Sequence, residues 1–148
     1  MVDPIWPLVL EGDPESACVD ILRNYTPELE PYDLNRITTS LVGYERGMRW
    51  VVVTREGGSK SWPKISRPRI DLNVLAESRD IACDVINLCE ASIIRAAGSY
   101  RGFGVTLCAA GEEVGPFRVP DKYSESPQYV VSLRLHTTPD RSSTPGLS

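Results

Sequence analysis

Side chains able to perform acid–base or nucleophilic chemistry are few in this sequence of 148 residues. His136 is its one histidine, and no two cysteines form a CxxC pair. Ser-His-Asp and Cys-His catalysis need a histidine beside a nucleophile, and zinc sites need Cys or His at short spacing. We therefore expect neither kind of site. We also expect reduced thiols in a cytosolic protein at Cys18, Cys83, Cys89 and Cys108.

Two further motifs carry weak chemical signals. The run Gly57-Gly58-Ser59-Lys60 lacks the GxxxxGK[ST] spacing of a phosphate-binding loop, so nucleotide binding is not expected. The acidic pair Glu112-Glu113 is interpreted as part of a solvated loop. With Asp121 it supports only a remote hypothesis, a metal-dependent hydrolase or nuclease. The sequence therefore predicts no catalytic residue, no metal site and no cofactor.

Length and composition are those of one globular domain. The chain is 41% hydrophobic and 24% charged, with a formal net charge of −4. We expect a single domain over residues 1–138 and a flexible Ser/Pro/Thr-rich tail over 139–148. No signal-peptide pattern is expected at the N-terminus, and no apolar run approaches the ~20 residues that span a membrane. A membrane partner is therefore not expected.

The periodicity of apolar residues predicts two helices and five strands. Asp13 and Pro14 form a typical helix start, and Asn24 ends that helix. The order α-β-β-β-α-β-β predicts an α+β fold, a two-layer sandwich with a mainly antiparallel sheet and two helices on one face. Strands are expected at 36–42, 48–55, 69–75, 103–108 and 129–136, the main helix at 78–97, and long loops at 56–68 and 109–127.

Charge is strongly segregated along the chain. Residues 1–33 hold eight acidic residues and one basic residue, a net of −7. Residues 45–69 hold seven basic and two acidic residues, a net of +5. The segments could neutralise each other within one subunit, or join neighbouring subunits head to tail around a ring. A third alternative places the basic loop near DNA.

Ten residues are candidates for an assembly interface. Trp62, flanked by Lys60 and Lys64, has the composition of an interface anchor, although it could also cap the edge of the core. The second long loop offers Phe117 and Arg118. Opposite charges for a head-to-tail contact come from two sets of residues, the basic Arg55, Arg67 and Arg69 and the acidic Asp13 and Glu15.

Four segments resemble the tail terminator proteins of long-tailed, non-contractile (siphovirus-type) bacteriophages. In that family a strand ending in Arg-x-Gly-Gly leads into an alternating strand, a long helix, a Gly-Pro loop and a last strand. The segments here are WVVVTREGG (50–58), RPRIDLNVLAESRDIACDVINLCEASI (67–93), VGPFRVPD (114–121) and QYVVSLRLHT (128–137). The helix departs from the family pattern at Cys83, Asn87 and Cys89.

The resemblance implies a structural virion protein and not an enzyme. Such proteins form a hexameric ring that caps the finished tail tube, stops its polymerisation and joins it to the neck. The implied partners are further copies of the chain, the major tail tube protein and the neck or head-closure protein, with the tape measure protein or DNA in the lumen as further candidates. The implied location is the head-proximal end of the tail, after assembly in the host cytoplasm. A neck protein, or a small-molecule-binding α+β regulatory domain, is the alternative.

Overall fold

Helix α1 spans Pro14–Asn24 and begins as the sequence predicts. The backbone N–H of Ser16 donates to Oδ1 of Asp13 over 3.1 Å, so Asp13 is the N-cap. Pro14 fits the first turn because its missing N–H would have no partner there. A short 3₁₀ helix over Pro27–Tyr32 follows. The core face of α1 consists of Ala17, Cys18, Ile21 and Leu22.

A six-stranded sheet forms the other layer of the fold. The computed structural model describes residues 12–61, 65–119 and 127–139. The strands are β1 (Arg36–Thr38), β2 (Trp50–Ser61), β3 (Ile65–Leu75), β4 (Arg101–Gly102), β5 (Val105–Val119) and β6 (Gln128–Pro139). Their order is β1-β2-β3-β6-β5-β4, and only β1 and β2 pair in parallel. The predicted α+β architecture with a mainly antiparallel sheet is therefore confirmed.

Helix α2, Arg79–Ala96, packs on the inner face of this sheet. It ends where predicted, since Gly98 adopts a φ of 89° just beyond its C-cap. Alternating residues of β3 and β6 point toward it because successive side chains of a strand face opposite sides. The buried core of this layer includes Val85, Ile86, Cys89 and Ile93 of α2, with Ile70, Leu72, Val131 and Leu133 of the sheet.

The outer face of the sheet holds a second, smaller cluster. Trp50, Val52 and Leu75 are buried there and are covered in part by Tyr44 and Met48. Val52 thus packs outward, while Val51 and Val53 belong to the main core. Strand β2 is therefore buried on both faces where it reads Val-Val-Val.

The predicted loop at 56–68 is wrong, because most of it is a long antiparallel hairpin. Strand β2 continues to Ser61 and β3 starts at Ile65. A register shift between Arg55 and Gly58 accommodates the two glycines, and Gly57 has a φ of 93°. Glycine and proline are usual loop signals, but here they occupy a bulge and a strand position.

The predicted loop at 109–127 is also wrong over its first half. Strand β5 runs to Val119 and pairs with β6, with register shifts between Leu107 and Ala109 and at two later points. Each shift breaks the two-residue periodicity that sequence analysis relies on. The strand predicted at 103–108 begins only at Val105, and the one predicted at 36–42 ends at Thr38.

The proposed domain limits stay a prediction. Residues 140–148 of the predicted tail lie outside the described residues, whereas Pro139 is the last residue of β6. Residues 1–11 and 120–126, which include Asp121, also lie outside them.

We predict that Leu72→Ala lowers the free energy of unfolding by about 2–5 kcal/mol, because it leaves a cavity under α2. Leu72 is fully buried and lies between Val53 of β2 and Val131 of β6. Urea unfolding followed by circular dichroism measures the change. Glu56→Ala, at an exposed position, is the control and should change stability by less than about 0.5 kcal/mol. Equal effects of the two substitutions would contradict the assignment of the core.

Candidate assembly interface

The end of the β2–β3 hairpin, residues 56–68, is called the arm below. Its strands are joined from Gly58 opposite Pro68 to Ser61 opposite Ile65. Strand β1 pairs only with Trp50–Val52, so β2 runs well beyond its outer neighbour. The arm therefore lies at the sheet edge, where a second molecule can approach the backbone.

Three of the predicted basic and aromatic residues belong to the end of the arm. The backbone of Lys60 pairs with Ser66, while its side chain lies outside the described part of the chain. Trp62 and Lys64 also lie outside the described residues. Their role at an interface stays a prediction.

Arg67 and Arg69 are parts of a polar network on the outer sheet face. Nε of Arg69 lies 3.3 Å from Oδ1 of Asp71, and its Nη2 donates to Ser132 over 3.1 Å. Ser132 in turn donates to Asp71 over 2.6 Å. Arg134 donates to the carbonyl oxygen of Arg67 over 3.0 Å. The sequence could not indicate this network, because its members come from different strands.

The two predicted acidic residues have partners within their own subunit. Asp13 caps α1 and also accepts a bond from the hydroxyl of Ser16 over 2.7 Å. Glu15 accepts from the backbone N–H of Arg55 over 3.0 Å. Among the predicted interface residues, the structure thus brings Glu15 together with the backbone of Arg55. This bond fixes the start of α1 to the base of the arm.

Ion pairs of the two charged segments lead to other parts of the fold. Glu28 pairs with Arg95 of α2, whose hydrogen bonds lower the pKa of the Glu28 carboxyl to about 2. Arg49 pairs with Glu77, and its hydrogen bonds likewise lower the pKa of that carboxyl. These contacts join each segment to the region around α2. The segments also meet each other within the subunit, since the Arg49 guanidinium donates to the carbonyl oxygen of Tyr32 and lies close enough to Asp33 for that carboxyl to help raise the Arg49 pKa.

A groove borders α1 on its outer side and is called the α1 groove below. It consists of two cavities, of about 320 and 500 Å³, that share Arg23 and Asn24 as lining residues. The first cavity reaches Phe103, in the turn between β4 and β5, and the second reaches the 3₁₀ helix. Its acidic lining residues are Asp20, Glu30 and Asp33.

Phe117 and Arg118 lie on β5, away from α1. Phe117 is opposite Val130 of β6 and is 44% exposed, and Arg118 is opposite Tyr129. Val114 on the same strand is also exposed. The part of β5 that resembles the family's Gly-Pro loop therefore presents apolar side chains to solvent, which is compatible with a contact surface.

Glu112 is exposed as expected but lies on strand β5 and not in a loop, and it shares a hydrogen bond with Glu90 of α2. Burial is the main cause that raises the pKa of Glu90 to about 7, and the neighbouring Glu112 adds to it. Oε2 of Glu90 is buried with no hydrogen-bond partner in the described part of the chain. Glu90 therefore keeps its proton to a higher pH than an ordinary glutamate, because burial and the neighbouring carboxyl both disfavour its charged form.

Chemistry at the other candidate residues is limited. Burial raises the pKa of the Cys18 and Cys89 thiols to about 12, so both remain protonated and unreactive. His136 is exposed on the sheet face opposite Leu135. Over residues 12–61, 65–119 and 127–139, no three His, Cys, Asp or Glu side chains group to hold a metal ion. No helix in those ranges is long and apolar enough to cross a membrane.

Two solved structures share this fold over most of the chain. One is described as the structure of the bacteriophage SPP1 gp17 protein, with a TM-score of 0.52, 16% sequence identity, and coverage of 90% of this chain and 89% of that one. Another belongs to the virion of a native gene transfer agent particle, with a TM-score of 0.55, 11% identity, and coverage of 84% and 93%. No protein-family model and no curated protein matches the sequence.

We predict that Glu90→Gln makes stability less dependent on pH. The folded protein keeps the Glu90 proton up to a pKa of about 7, whereas the unfolded chain releases it near pH 4.3. The free energy of unfolding therefore falls as pH rises through this window, and the loss is complete above pH 7. At pH 8 the free energy of unfolding of Glu90→Gln should exceed that of the wild type by about 1 kcal/mol. The gain is no larger because water screens part of this carboxyl.

Thermal unfolding at pH 5 and pH 8 measures this effect. The control is Glu113→Gln, because Arg134 pairs with Glu113 and lowers the pKa of its carboxyl. That variant should lose stability at pH 8 relative to the wild type. A Glu90→Gln variant with the wild-type dependence on pH would contradict the raised pKa of Glu90.

Proposed function

We propose that this chain is a structural component of a phage or phage-like particle and acts there as a tail terminator. The observation that carries the proposal is the shared fold, over at least 84% of the chain, with two proteins described as a bacteriophage protein and as part of a gene transfer agent virion. The motifs of residues 50–58 and 67–93 add the sequence resemblance to tail terminators. The proposed role is assembly, without catalysis.

A ring of identical subunits gives this role a physical mechanism. One face of the ring binds the last ring of tube subunits, and the other binds the neck. Each subunit presents different surfaces to its two neighbours, which is the heterologous contact that closes a ring when the rotation is right. We propose six subunits, as in the family that the sequence resembles. The ring stops polymerisation because its outer face does not repeat the surface of the tube.

Opposite charges would guide both self-assembly and docking. Complementary surfaces raise association rates and disfavour wrong partners. Within residues 12–33 the acidic side chains belong to α1, the 3₁₀ helix and their caps. Residues 55–69, the arm and its base, include five basic residues and one acidic residue, Glu56. These surfaces belong to different elements of the same subunit, so they can meet between copies.

A neck or head-closure protein is the alternative function. The shared fold supports a virion component but does not separate these two positions in a particle. Both roles would use a ring with two different faces. They differ in the step that fails when the protein is absent.

We predict that particles made without this protein have tails of abnormal or indefinite length, because nothing caps the growing tube. Electron microscopy of lysates from a deletion strain measures the length distribution, and supplying the gene in trans should restore a single length. Tails of normal length that fail only to join heads would refute the terminator role and favour the neck protein. Images of the purified protein should show six-fold rings.

We predict that Arg67→Glu together with Arg69→Glu weakens ring formation, because it reverses charge at the base of a basic interface. Arg69 contacts Asp71 in its own subunit, so thermal unfolding is measured alongside assembly. Arg69→Gln, which keeps a hydrogen-bonding side chain there, is the control for that internal contact. If the double variant folds and assembles like the wild type, Arg67 and Arg69 are not part of the interface.

A further inference from the structure

Two side chains at the centre of the α1 groove form hydrogen bonds within the subunit. Arg23, which lines both cavities, donates from Nε to the carbonyl oxygen of Ile37 over 3.0 Å. Its guanidinium is thereby held against strand β1. Asn24 is held by a 2.7 Å bond to Asp20. Two side chains of the groove lining are therefore hydrogen-bonded within their own subunit.

The groove also has an acidic lining. Asp20 accepts bonds from Asn24 and from the hydroxyl of Tyr100, the latter over 2.6 Å. Both donors are neutral, so the negative charge is not cancelled. Glu30 and Asp33 are exposed along the second cavity. Arg23 is the one basic side chain among the named lining residues, and Asp33 also interacts with Arg49 of its own chain. Three acidic side chains against one basic side chain leave the lining net negative, which suits a basic partner.

An aromatic side chain stands at the end of the groove. Phe103 is 54% exposed and adopts a φ of 53°, a conformation that costs a bulky residue about 1–3 kcal/mol. Its carbonyl oxygen accepts a bond from the N–H of Asp13 over 3.0 Å. A Cβ on Gly12 would lie 2.5 Å from the backbone of Gly104, so this contact requires glycine. The structure thus holds an apolar ring in solvent beside an acidic cavity.

We propose that the α1 groove receives the end of the arm of a second copy of this chain. Residues 58–64 read Gly-Ser-Lys-Ser-Trp-Pro-Lys, with two basic residues, no acidic residue and one tryptophan. Lys60 and Lys64 would face Glu30 and Asp33, and Trp62 would pack near Phe103. A cavity of about 320 Å³ is within the range of ligand pockets, which accept groups larger than an indole.

Charge argues against the N-terminal segment as the occupant. Residues 1–11 join the described chain at Gly12, beside the groove, and they include Trp6. They also include Asp3 and Glu11 but no Lys or Arg, so an acidic groove repels them. The arm carries the opposite charge and extends from the other edge of α1, where Arg55 binds Glu15.

The inference rests on the proposed self-assembly and specifies the contact that makes it. Arm and groove are different surfaces. Each copy would therefore insert its arm into the groove of one neighbour and receive the arm of the other neighbour in its own groove. Such a contact is heterologous and can close into a ring. Its strength should fall with added salt, because the paired charges are near the surface.

Two charge-changing variants of the full-length protein test the contact. The groove variant combines Glu30→Lys with Asp33→Asn, since Asn tolerates the φ of 50° at position 33. The arm variant combines Lys60→Glu with Lys64→Glu. Arg79→Glu, at an exposed site on α2, is the control for a reversed charge outside the proposed contact. Sedimentation velocity measures assembly, and thermal unfolding confirms that each variant is folded.

Each variant alone should assemble about tenfold more weakly than the wild type, whereas the control should not change. An equimolar mixture should recover assembly, because alternating copies then match at every contact. The chain that carries all four substitutions should also assemble. If one variant fails to fold, Lys60→Ser with Lys64→Ser replaces the arm variant and the wild-type salt dependence is measured.

Wild-type assembly by both folded variants would overturn the arm–groove contact and leave the tail terminator proposal standing. If the chain with all four substitutions recovers assembly but the mixture does not, the arm binds the groove of its own chain. That result would also overturn the arm–groove contact between copies. A wild-type protein that stays monomeric would overturn it too. The length of tails made without the protein decides the terminator role separately.

Discussion

Burial of one face of β3 under α2 is the constraint on which the other elements depend. Ile70, Leu72 and Val74 are almost completely buried, and each contributes about 1.5–3 kcal/mol relative to exposure. Strands β2 and β6 pair with β3 on its two sides, and α2 and α1 cover the same face. The outward-facing residues of β3 form the polar network with Ser132, and the same strand continues into the arm.

The sequence predicted correctly those helices and strands that are determined by residues close to each other in the chain. Asp13 and Pro14 determine where α1 begins, and the alternation from Ile70 to Val74 identifies β3. Both follow from side chains within a few residues of each other. The arm and the second half of β5 were predicted as loops. Both are strands because each pairs with another strand. Gly57 and Gly58 read as a loop in isolation, yet they form a bulge once β3 is alongside.

The sequence indicated which charged segments the candidate site contains, but not which of their residues contact each other. The segregation of charge correctly located an acidic element around α1 and a basic one around β2. It could not show that Glu15 binds the backbone of Arg55 or that Arg49 pairs with Glu77. Nor could it show Glu90 beside Glu112, since burial and a partner from another element raise that pKa. A small net charge of −4 therefore conceals two segments of opposite net charge.

The irregular pairing of β5 has a consequence for how the chain behaves before assembly. Strand β4 pairs with only Val105 and Thr106, so the edge of β5 extends far beyond it. A long, flat edge invites other chains to add strands without limit, which ends in fibrils. Three register shifts twist this edge and interrupt its hydrogen-bonding repeat. The irregular edge thereby disfavours the open-ended addition of strands from other chains.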